Sequence, residues 1–176
     1  MEGNKTLSEN IAYYLDAYSG IIVFGMDYKN YNLFNAIMKD VYSKVKVKTN
    51  FGEIIDQVHM DSLKETAKDG VFFVDLDKLT GFNKDVNKFV NDLRQFCVEN
   101  NNTVVINKSV FSSLSIGTNA ISTLTPNTLL YSASVILMIN NGKITCAKNR
   151  YDSFDIINHS LLAYIRDIKI DEILND

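Results

Sequence analysis

Four short stretches of the sequence carry side chains suited to chemistry. Val71-Phe72-Phe73-Val74 is an apolar run that ends in Asp75, and Val104-Val105-Ile106 is another that ends in Asn107 and Lys108. Open α/β sheets bind ligands outside the carboxyl ends of such strands, so a carboxylate and an amide at two strand tips are candidate metal or ligand groups. Lys148 and Arg150 alternate onto one side if a strand runs through Ile144 to Tyr151. Lys44, Lys46 and Lys48 alternate with Val45 and Val47, which places three ammonium groups on one face of a short strand. An edge strand guarded by lysines is favoured there over a polyanion contact. His59 and His159 lie far apart without the Cys or carboxylate spacing of a zinc site, and no Ser or Cys sits in a recognisable nucleophile turn.

The elements that position these residues are legible as alternating strands and helices. Ser8 precedes Ile11, Tyr14, Leu15 and Tyr18 at helical spacing, and Ser19-Gly20 closes that helix. Ile21 to Phe24, set between Gly20 and Gly25, is a continuous apolar run expected to form a strand covered on both faces. Leu33, Phe34, Ile37, Met38 and Val41 predict a helix over Tyr31–Val41, and a further helix is expected over Glu53–Lys68. Val86, Phe89, Val90, Leu93, Phe96 and Cys97 form the stripe of a helix from about Asn83 to Glu99, ended by Asn100-Asn101-Asn102. Ser109–Asn127, rich in Ser, Thr and Asn, reads as a long loop. Ser134–Ile139 and Lys143–Ala147 flank Asn140-Asn141-Gly142, a hairpin turn signal, and an apolar stretch from Phe154 to Ile170 follows. The expected fold is α/β: a mainly parallel central sheet flanked by helices, with an antiparallel C-terminal edge hairpin.

The chain has 176 residues, 46% of them hydrophobic and 22% charged, with one proline. That is ordinary globular composition, and it fits a short N-terminal helix over 1–19 followed by one core domain over 20–176. A net charge of −3 gives no overall pull on a polyanion, so any nucleic-acid contact needs a local patch. Two cysteines in apolar surroundings and no long apolar run point to a cytoplasmic protein without membrane association.

In order and context these pieces resemble the RecA-like P-loop ATPase core of strand-exchange recombinases and DnaB-type helicases. Val71–Asp75 looks like a Walker B strand, whose Asp holds a Mg²⁺-bound water. Val104–Lys108 resembles the strand with a polar sensor at its tip, where Asn107 is the better match. The loop from Ser109, with Thr118 and Asn119, and the following Tyr131-Ser132-Ala133-Ser134-Val135 resemble the mobile DNA-binding loop and the strand entry after it; Lys108 and Ser109 open that loop. Residues 109–134 contain no Lys or Arg, so the usual phosphate-neutralising charge is missing there. Lys148 and Arg150 look like the Lys-x-Arg segment that reaches across an oligomer interface to a neighbour's γ-phosphate.

The phosphate loop departs from the family. Against Gly-x4-Gly-Lys-Ser/Thr, residues 25–32 read Gly-Met-Asp-Tyr-Lys-Asn-Tyr-Asn, so Asn30 stands for the second glycine, Tyr31 for the lysine and Asn32 for the hydroxyl. If nucleotide binding is retained, the resemblance gives it Gly25, Lys29, Asn32, Asp75 and Asn107, with ATP and Mg²⁺ as cofactors and Asp75 as the metal residue. Glu53 is a loose candidate for the catalytic carboxylate. The leading expectation is a degenerate paralogue that does not hydrolyse ATP and associates with recombination or replication machinery. Its partners would be a homo- or hetero-oligomer with a RecA-like protein, and single-stranded DNA. An active, divergent Mg²⁺-ATPase and an unrelated α/β interaction module are the alternatives.

Overall fold

The computed structural model describes residues 7–26, 31–76, 86–109, 127–140, 143–150 and 159–160. Their elements in chain order are α1 (Leu7–Ala17), β1 (Gly20–Met26), α2 (Tyr31–Lys44), β2 (Asn50–Glu53), α3 (Gln57–Leu63), β3 (Gly70–Asp75), α4 (Val86–Asn100), β4 (Thr103–Ser109), α5 (Asn127–Ser132), β5 (Ala133–Asn140), β6 (Lys143–Asn149) and β7 (His159–Ser160). One seven-stranded sheet has the order β2-β3-β4-β1-β5-β6-β7. Strands β2, β3, β4, β1 and β5 run parallel, and β5–β6 and β6–β7 are antiparallel. This is the mainly parallel sheet with an antiparallel C-terminal hairpin that the sequence predicts.

The continuous apolar runs are explained by burial on both faces. Ile22, Phe24 and Met26 of β1 point to one face, where Leu33, Phe34, Ile37, Met38 and Val41 of α2 and Ile11, Tyr14 and Leu15 of α1 cover them. Ile21 and Val23 point to the other face, beneath Phe89, Val90, Leu93 and Phe96 of α4, Met60 of α3 and Leu129 of α5. Helix α1 thus shares its core with the central sheet.

Two expectations for the region after α2 are corrected. Val45–Lys48 is not a strand. The Asp16 carboxylate at the end of α1 accepts the backbone N–H groups of Lys46, Val47 and Lys48 at 2.8, 3.0 and 3.0 Å, which occupies the donors a strand would use. Lys48 is 2% exposed, and its ammonium donates to the Asn101 carbonyl at 2.6 Å and to Asn101 Oδ1 at 3.2 Å. A period-two lysine face therefore does not exist. The helix expected over Glu53–Lys68 is only α3, because Asn50–Glu53 pairs with β3 and Asp56 caps the helix by accepting from the His59 N–H at 2.7 Å.

Strand β2 approaches β3 closely because of two glycines beneath one ring. A Cβ on Gly70 would lie 2.6 Å from Phe72 and 2.7 Å from the Asn50 carbonyl, and one on Gly52 would lie 3.1 Å from the same ring. Asn127–Ser132, read from sequence as loop and strand entry, is the short helix α5.

Candidate functional site at the strand tips

Registration of the strands brings the sequence-nominated tips together. Asp75 of β3 pairs with Asn107 of β4, and Asn107 pairs with Phe24 of β1. Strand β1 leads through α2 onto one face of the sheet, whereas β4 leads to α5 on the other, so β1 and β4 flank a topological switch point. Such a point is where open α/β sheets form a crevice.

Tyr31, the first residue of α2, closes over that crevice. Its hydroxyl donates to Asp75 Oδ2 at 2.9 Å and accepts from Asn107 Nδ2 at 2.5 Å. Asp75 is 6% exposed and Asn107 is 0% exposed. The Asn107 Oδ1 atom is buried without a hydrogen-bond partner. A buried acceptor left unmade costs about 1–3 kcal/mol, which marks this tip as a place where the fold gives up stability.

The other nominated residues distribute as follows. Gly25 is buried in β1 between Lys108 of β4 and Met138 of β5. Asn32 is exposed on the first turn of α2, and Lys108 is half-buried near the tip of β4. Ser109 ends β4. Lys29, Thr118, Asn119 and the loop 110–126 lie outside the described residues. Glu53 sits at the open edge of the sheet, level with Phe73. Burial, and then the Glu53 charge, push the Tyr42 phenol up to about 12. Both residues line an apolar groove of about 440 Å³ between α2 and β2–β3, with Phe34, Met38, Phe51 and Phe73. Among the described residues no group of three His, Cys, Asp or Glu side chains is placed to hold a metal.

Lys148 and Arg150 are far from Asp75. Leu137 of β5 is level with Phe24 and pairs with Cys146, so Asp75 and β6 are separated by four strand steps, roughly 19 Å at about 4.8 Å each. A bulge at Ala147 shifts the β5–β6 register, so that Cys146 opposes Leu137 but Lys148 opposes Ile136. The bulge turns Lys148 to the α4–α5 face, opposite the face that carries Tyr31. There Lys148 Nζ donates to the Tyr131 carbonyl at 3.2 Å, and the Arg150 guanidinium donates to the same oxygen. Burial, then the neighbouring guanidinium, holds the Lys148 ammonium below the ordinary lysine range.

Sequence reasoning identified Tyr31 only as a missing lysine and gave Tyr131 no role of its own. The signal for Tyr31 was its place at the start of the helix that follows β1. For Tyr131 the sequence holds no comparable signal, because its exposure depends on the turn of α5.

Fold and site together define an α/β domain with a polar cluster at a switch point of its parallel sheet. No protein-family model and no curated protein matches the chain. Solved structures resemble its overall arrangement. A protein from Pyrococcus horikoshii OT3 is 14% identical with a TM-score of 0.41, over 88% of this chain and 87% of that one. The flagellar accessory protein FlaH from Methanocaldococcus jannaschii is 5% identical with a TM-score of 0.45, over 82% and 86%. The DnaC helicase loader is 16% identical with a TM-score of 0.40, over 78% and 93%. Among the described residues no helix is long and apolar enough to cross a membrane.

Proposed function

We propose that this chain is a divergent RecA-like domain whose own nucleotide site is closed by Tyr31, and that it acts as a non-hydrolysing partner of DNA recombination or replication machinery. The observation that carries this reading is the Tyr31 hydroxyl held between Asp75 and Asn107. Under the resemblance, Tyr31 stands where a lysine would neutralise phosphate charge and Asp75 is the Mg²⁺ residue. A phenol offers no such charge, and its hydrogen bond occupies the carboxylate. Asp75 then repels an incoming phosphate instead of serving it through a metal.

The strand order supports the reading, since it sets the polar tip of β4 between β1 and the Asp75 strand. The separation of Lys148 and Arg150 from Asp75 supports a role toward another molecule rather than toward this site. An oligomer with a RecA-like protein is the assembly in which such a chain would work.

Calorimetric titration with Mg²⁺-ATP tests the closure. The wild type is expected to give no saturable heat at millimolar nucleotide, and Asp75→Ala is expected to behave identically. Saturable binding by the wild type that Asp75→Ala abolishes would overturn the closed-site reading in favour of a divergent ATPase.

A further inference from the structure

The groove between α2 and the open edge of the sheet is built from side chains that local pattern places together. Phe34, Met38 and Tyr42 recur every four residues and form its α2 wall. Phe51 and Glu53 alternate with Gly52, which turns beneath Phe72 on the opposite face, and they lie level with Val71 and Phe73 of β3 to make the floor. Among the described residues this face is covered by α1 and α2 and the other by α3, α4 and α5, so the β2–β3 edge lacks a third helix here. The Phe51 ring is 50% exposed as a result. Tyr42 and Phe51 meet edge to face with centroids 5.7 Å apart, and the Phe34 and Phe73 rings lie 5.9 Å apart. The polar side chains of the groove are unspent: Asn35, Lys39, Tyr42 and Glu53 make no hydrogen bond or ion pair with another described residue. Lys39 is exposed at the rim, whereas the Glu53 charge, after burial, is what raises the Tyr42 phenol, so the Tyr42 end of the groove carries a negative field.

We propose that this groove binds a small organic cation with an apolar body, an aromatic amine or a quaternary ammonium compound, whose head lies against the Tyr42 and Phe51 rings beside the Glu53 carboxylate. Aromatic faces attract a cation through the ring quadrupole, and more strongly once it leaves water. A carboxylate alongside adds a Coulomb attraction that an apolar wall strengthens. An anion would meet the same carboxylate and the same ring faces as repulsion, and a neutral ligand would gain nothing from either. The volume of about 440 Å³ falls within the roughly 300–1,000 Å³ of small-molecule sites, so the groove takes the body of the ligand as well as its head. Apolar and aromatic walls with a few polar groups that fix orientation are the usual chemistry of such sites. The inference is independent of the closed nucleotide site, because none of Tyr31, Asp75 and Asn107 lines the groove.

The test is a proton NMR titration of the full chain with benzyltrimethylammonium, with benzyl alcohol as the neutral counterpart. The N-methyl signal is expected to move upfield under the ring currents and to saturate at millimolar probe, and benzyl alcohol should bind at least about fivefold more weakly. Glu53→Gln should weaken binding of the cation at least about threefold and leave that of the alcohol unchanged. Phe51→Leu keeps apolar bulk at a half-exposed position and removes the ring face, so it too should weaken the cation at least about threefold. Should a variant fold poorly, the wild-type ratio of cation to alcohol decides the matter. Absence of a saturable shift, equal binding of the two probes, or an unchanged cation affinity in Glu53→Gln overturns the proposal. Neither result bears on the Tyr31 closure, which fails only on Mg²⁺-ATP binding.

Discussion

Two asparagines at opposite ends of β4 are equally buried and differently treated. Asn102, just before the strand, accepts from the Gly70 N–H at 2.8 Å and donates to the carbonyls of Ala67 at 3.0 Å and Phe96 at 3.4 Å. Asn107, near its end, donates to Tyr31 and leaves Oδ1 without a partner. The surroundings repeat the contrast. At the strand-start edge Asp16 gathers three backbone donors, Lys48 is held by Asn101, and Thr103 Oγ1 donates to the Tyr18 carbonyl at 2.7 Å. Polar groups there are matched because their work is to fasten helices to the sheet. At the exit edge the match is incomplete, as is common where a fold reserves groups for a ligand or has lost one.

The comparison breaks or sharpens under substitution, and the largest effect is expected at the matched end. Asn102→Ala strands the Gly70 N–H and the Ala67 carbonyl in the core, and urea unfolding should show a loss of about 3 kcal/mol. Asp16→Ala frees three donors that water can partly reach, so a loss of about 2 kcal/mol is expected in the same assay.

Cys97 joins this edge by accepting the Asn102 N–H on its carbonyl at 3.0 Å, and burial pushes its thiol up to about 12. A thiol raised above its unfolded value contributes stability below about pH 8.5 that is lost as pH rises toward the folded value. Stability of the wild type should therefore fall above about pH 8.5, by at most about 1.4 kcal/mol per pH unit from this group, and Cys97→Ala should flatten that slope. The smallest change is expected from Asn107→Leu, which removes the orphaned acceptor along with one hydrogen bond. Its unfolding free energy should stay within about 1 kcal/mol of the wild type, and a loss as large as that of Asn102→Ala would end the contrast.

Much of this architecture was legible because burial on both faces leaves continuous apolar runs, as in β1, β3 and β4, and because Asn140-Asn141-Gly142 marks the β5–β6 hairpin. Asp75 and Asn107 could be nominated as partners because tips of buried parallel strands share an edge. The errors arose where long-range polar bonds override local pattern. Lys44–Lys48 reads as a strand until Asp16, some 30 residues earlier, takes its backbone donors. Tyr31 could be recognised as the wrong residue for a phosphate loop, but its hydroxyl bridge depends on the angle of α2 over the sheet, which no local spacing encodes. The bulge at Ala147 is equally silent in sequence, although without it Lys148 and Arg150 would both turn to the opposite face of the sheet.

The aromatic ring laid across two glycines at the β2–β3 edge has a consequence for descent. Phe72 fills the space that a methyl on Gly70 would need and crowds one on Gly52. The three positions therefore behave as one inherited character. A lineage that gains a side chain at position 70 must surrender both the ring at 72 and the close approach of the strand at 50–53, so these residues are expected to change together or stay fixed together.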